Sequence, residues 1–121
     1  MYNILFLIGR ILFGGYFLIS GINHFIKYSE LSAYVASKKV PLPKAGVFLS
    51  GLLLFFGGLG FVLGAYIQIA AILLSVFLFV VSFMMHDFWN VSDKQQRMTQ
   101  MQMFLKNIAL LGAALMFIFN L

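Results

Sequence analysis

The chain has 121 residues, of which 63 % are hydrophobic and 9 % charged, with a net charge of +5. A soluble domain carries about 25 % charged residues, so a surface this poor in charge has lipid rather than water as its solvent. The sequence offers no basic face of the kind that nucleic acid requires, and the absence of cysteine excludes disulfides, thiol redox chemistry, cysteine-ligated iron–sulfur clusters and c-type haem attachment.

A membrane helix needs about 20 apolar residues to cross about 30 Å of hydrocarbon. The first candidate span, residues 4–22, reads ILFLIGRILFGGYFLISGI and is broken only by Arg10. It lacks a basic n-region and an A-x-A-like site, so it does not read as a cleaved signal peptide. The next segment, KYSELSAYVASKKVPLPK, predicts a short amphipathic helix lying on the membrane surface. Ser29 would cap it, Leu31, Tyr34 and Val35 share one face, and Lys38 and Lys39 close it before Pro41 and Pro43.

Residues 45–85 hold no charge. As one straight helix they would run about 60 Å, twice the hydrocarbon thickness, so the segment must fold back. The break falls at LGAYIQ, where Gly64 can end a helix and Tyr66 and Gln68 suit an interface. Spans near 45–63 and 67–85 follow. Downstream, SDKQQRMTQMQMF contains no breaker. Ser92 and Gln95 fit a capping box and Asp93 and Arg97 are spaced for an i,i+4 pair. A fourth helix is therefore expected from near Asp93, projecting beyond the bilayer before spanning near residues 104–121. The predicted fold class is an all-α membrane protein: one domain, a four-transmembrane-helix antiparallel bundle with a short amphipathic helix between spans one and two.

Even parity puts both termini on one side. Of the eight basic residues, Lys27, Lys38, Lys39, Lys44, Lys94, Arg97 and Lys106 fall on the opposite side, so the longer loops are expected in the cytoplasm and both termini outside. Small residues in spans one, two and four suit close helix packing within the chain; a homo-oligomer seam is the sharper reading of the same glycines.

Polar groups are costly in hydrocarbon, so their depth is informative. Near the termini lies Arg10, with Gln68, Asn120 and the terminal carboxylate as its expected partners. At the loop end, Asn23 and His24 close span one, His86, Asp87 and Trp89 follow span three, and Lys106 and Asn107 enter span four. The plain reading is polar residues leaving a membrane, with tryptophan at the interface. The sharper one is a cluster that holds a polar headgroup or moves protons near neutral pH. A bis-histidine haem is disfavoured because His24 and His86 sit at span ends, and no metal-ligand spacing appears.

The strings GRILFGGYFLISGINHF, VPLPKAG, GGLGFVLG, HDFW and FLKNIALLGAAL occur in the order and spacing of the DoxX family of small four-helix membrane proteins, which the chain resembles over nearly its whole length. The resemblance supports Arg10, Gly21, His24, Phe25, Pro41, His86, Asp87, Trp89, Lys106 and Asn107 as family-type positions. It implies a prokaryotic cytoplasmic-membrane protein, a quinone-linked redox subunit acting with a soluble or membrane partner. The alternative is a non-enzymatic membrane scaffold or lipid- or small-molecule-binding module. One departure stands out. Many family members carry an acidic residue a few positions before the paired glycines of span two, where this chain reads LLLFFGG with Leu54 as the counterpart.

Overall fold

The structure is a computed structural model and describes residues 3–119. Five α-helices and one short 3₁₀ turn follow in order: α1 (Ile4–Ile26), α2 (Tyr28–Ser37), α3 (Pro43–Leu63), α4 (Ile67–Met85), the turn Phe88–Asn90, and α5 (Lys94–Leu115). Helices α1, α3 and α4 are long and apolar enough to cross a membrane. α5 is not among them, because its first half reads KQQRMTQMQ.

Local chemistry sets the ends. Asn3 caps α1, its Oδ1 accepting from the Leu5 amide at 2.8 Å. α2 starts one residue beyond the end of α1, with Lys27 shared between them. Ser29 is therefore not the cap the sequence suggested. It sits inside the first turn, and the Lys27 carbonyl takes the first helical bond, from Leu31 N–H at 2.9 Å. The break at LGAYIQ forms as expected. Gly64 ends α3 with φ 70°, Ala65 N–H returns to the Gly60 carbonyl at 3.0 Å, and Tyr66 follows at φ 53° before α4. Asp93, not Ser92, caps α5: its carboxylate accepts from Gln96 N–H at 3.0 Å, where negative charge also meets the positive end of the helix dipole. The Asp93–Arg97 pair does not form; among the described residues the one ion pair joins Lys38 and Asp87.

The fourth span differs most. α5 ends at Leu115 and residues 116–118 turn, so the apolar helical part, residues 104–115, rises only about 18 Å. Phe117 and Ile118 pack against the core instead of extending the helix. The Phe117 ring lies 5.3 Å from Phe61 and 6.2 Å from Phe6.

Neighbouring helices run antiparallel, as their contacts show. On α1 and α3, Gly14 faces Gly58 and Phe61, and Gly21 faces Gly51 and Phe55. Gly57 and Gly60 of α3 meet Leu74 and Ala70 of α4, while Phe83 and His86 near the end of α4 meet Phe104 and Gln100 of α5. The α1–α3 approach is the closest. A Cβ on Gly58 would sit 2.4 Å from the Leu18 amide nitrogen, and one on Gly21 2.6 Å from that of Phe55. Lipid competes equally for leucine, so small residues that let backbones meet are what such helices need. Phe17, Leu54, Phe61, Leu74 and Leu78 fill the centre.

Candidate functional site

All five helices enclose a cavity of about 540 Å³ at the loop end, within the size range of small-molecule sites. The apolar face of α2 supplies Leu31, Tyr34 and Val35; α3 supplies Val47, Ser50 and Leu54, and α4 supplies Phe77, Val81 and Met85. α2 thus lays its apolar face over a chamber. Leu54 is fully buried and forms part of the wall, so the middle of the chamber is apolar.

Polar side chains gather along one part of the lining: Tyr16, Ser20 and His24 from α1, His86 at the end of α4, and Lys106 and Asn107 from α5. On α1 two bonds link successive turns. Ser20 Oγ donates to the Tyr16 carbonyl at 2.9 Å, and His24 Nδ1 lies 2.9 Å from the Ser20 carbonyl. His86 Nδ1 lies 2.8 Å from Oε1 of Gln100. Lys106 Nζ donates to Tyr16 Oη at 3.1 Å and stands 5.5 Å from that ring's centre, a cation–π contact that holds the ammonium beside the chamber. Asn107 is 7 % exposed, and its carboxamide makes no hydrogen bond to any described residue. The side chain lines the cavity, where its amide can donate to a ligand and its oxygen can accept from one.

The expected loop-end cluster therefore divides. His24, His86, Lys106 and Asn107 come together on the cavity; Asn23, Asp87 and Trp89 do not line it. Asn23 is exposed, and its carbonyl accepts from Lys27 N–H at 2.8 Å. Asp87 turns the other way. Its Oδ1 takes Lys38 Nζ at 2.5 Å and its Oδ2 takes Asn90 Nδ2 at 3.1 Å. The hydrogen bond from Lys38, aided by that of Asn90, outweighs partial burial and holds the Asp87 carboxyl below the usual carboxylate range. Trp89 packs edge-on against Phe88 and Phe104 at 5.2 and 5.6 Å and is half exposed, so it anchors the α4–α5 connection.

Arg10 lies far from this cavity. Its guanidinium packs against Gly64 at the α3–α4 turn, where a Cβ would sit 2.6 Å from Nη1. Gln68, expected as the partner of Arg10, is exposed and makes no bond with it, because Ile67 and Ala70 take the inward face of the first turn of α4. Its Nε finds no acceptor among the described residues. Asn120 and Leu121 lie outside those residues.

Sequence reasoning did not place Tyr16, Gln100 or Lys38 in these contacts. Tyr16 and Lys106 are 90 residues apart and Lys38 and Asp87 are 49 apart, and no spacing rule reaches that far. Only the alignment of helix ends, read from the turn positions, could have suggested them.

A charge-poor helical domain, three helices able to cross a bilayer and a chamber with one polar side define an integral membrane protein. The DoxX family model matches residues 5–87, more than half of the chain, and the protein belongs to the DoxX family. The match takes in His86 and Asp87 but stops before Trp89 and before α5, so the likeness at Lys106 and Asn107 stands on the sequence strings alone. Comparisons with curated proteins and with solved structures find no match.

Proposed function

We propose that the protein is a quinone-linked membrane subunit: it takes a lipid-soluble quinone into the loop-end cavity and exchanges it or its electrons with a redox partner. The observation that carries this reading is Asn107, a carboxamide with no hydrogen bond to any described residue, on the polar side of a largely apolar chamber. Quinones join an apolar tail to a ring with two carbonyls. About 540 Å³ admits the ring and the start of the tail, with the remainder among lipid. Asn107 would donate to a carbonyl, and the aromatic and aliphatic walls would cover the ring. In this reading the four long helices form a four-span antiparallel bundle in a prokaryotic cytoplasmic membrane, with the longer loops inside and both termini outside. The first half of α5 stands clear of the bilayer as a surface for a partner.

The apolar bulk of the same lining favours a second reading, a non-catalytic module whose chamber holds a lipid acyl chain. Titrating purified protein in mild detergent with decylubiquinone separates the two. Saturable binding that weakens at least about tenfold in Asn107→Leu, the order expected for losing a buried hydrogen bond, supports the quinone reading. Binding that ignores this substitution, or no binding, contradicts it.

A further inference from the structure

Both imidazoles on the cavity have one nitrogen committed. His24 Nδ1 faces the Ser20 carbonyl at 2.9 Å. A carbonyl only accepts, so Nδ1 carries the hydrogen. His86 Nδ1 faces the amide oxygen assigned to Gln100 at 2.8 Å, and the same logic applies. A neutral imidazole has a single N–H, which leaves Nε2 of both rings as a lone-pair acceptor. Neither Nε2 has a hydrogen-bond partner among the described residues. The obvious cation does not reverse this, because Lys106 Nζ is turned onto the Tyr16 hydroxyl.

From this set we infer that the cavity selects a headgroup that donates hydrogen bonds, a hydroxyl-bearing ring, over one that only accepts. Resting on the quinone reading above, His24 and His86 are specificity-determining residues that favour the reduced quinol over the oxidised quinone. The two forms share ring substituents and tail and differ in their donors. A quinol has two O–H groups, each able to meet an Nε2 lone pair. A quinone has two carbonyl oxygens, which form no bond with an acceptor and lose hydration against it. Asn107 does not discriminate, since its carboxamide donates to a carbonyl or accepts from a hydroxyl. It holds either form, while the imidazoles choose between them.

The test compares decylubiquinol with decylubiquinone on the full chain in mild detergent, anaerobically at pH 8, by calorimetric titration. The expected result is tighter binding of the quinol, by about tenfold, the scale of one to two added hydrogen bonds. His24→Phe and His86→Leu should each shrink that ratio, chiefly by weakening the quinol; Asn107→Leu should weaken both forms together. Equal affinities in the unsubstituted protein, or tighter quinone binding, overturn the selectivity but leave the quinone reading intact. Failure of both forms to bind overturns that reading and the selectivity with it. The comparison of redox forms needs only the unsubstituted protein, so a variant that does not fold leaves it decisive.

Discussion

Asp87 and Lys38 tie the end of α2 to the chain just beyond α4. Both side chains are 20 % exposed, and such a pair is worth on the order of 1 kcal/mol. Because Asp87 is held below its ordinary range in the folded protein, its contribution is full above the unfolded carboxylate value, about 4. It is lost as pH falls through the lower folded value. Thermal scans of detergent-solubilised protein should therefore show a stability loss in acid that is smaller in Asp87→Asn. An identical acid profile in both would mean the pair does not contribute. The sequence singled out Asp87 but not its role: its neighbour His86 faces the cavity while Asp87 faces the loop, and adjacent residues at a helix end diverge in this way. Asn107 is the reverse case. Its position entering span four was legible, whereas its place on a cavity wall depends on side chains from the other helices.

At the scale of elements, the α1–α3 seam rests on backbone contact. Gly58→Ala puts a Cβ against the Leu18 nitrogen and the Gly14 carbonyl oxygen, atoms that cannot step aside without moving a helix. The expected cost is about 1–3 kcal/mol, read as a lower midpoint of thermal unfolding. Gly9→Ala, at a position with nothing within 4 Å, should leave the midpoint unchanged. Equal effects at both positions would contradict the seam. The α3–α4 turn was readable because length forces a reversal and only LGAYIQ offers a glycine beside interfacial residues. α2 was readable as amphipathic, but not as the roof of a chamber, since one helix's periodicity does not say what its apolar face covers. The end of α5 was not readable: no breaker marks Leu115, and the turn comes from Phe117 packing against Phe61 and Phe6. Tertiary packing there overrides an unbroken apolar run.

For the whole molecule, composition alone dictated lipid as solvent, and helix lengths then limited the architecture to a few apolar helices with close backbone contacts. The convergence of α1, α4 and α5 at one end followed from counting turns; the chamber between them did not, because its volume depends on how side chains from five helices fit. The proposed topology predicts that a reporter fused after Leu121 lies outside the cytoplasm, while one inserted in the α2–α3 connection lies inside. The opposite pattern would reverse the orientation.

The central claim is that the loop-end chamber holds a quinone-type molecule through Asn107. Native mass spectrometry of protein extracted from its membrane in mild detergent tests it most directly. A bound species with the mass of a quinone or quinol is expected, and it should be lost in folded Asn107→Leu. A spectrum showing no such species, or one that keeps it undiminished in that variant, would contradict the claim, and a phospholipid mass in its place would favour the lipid-binding module.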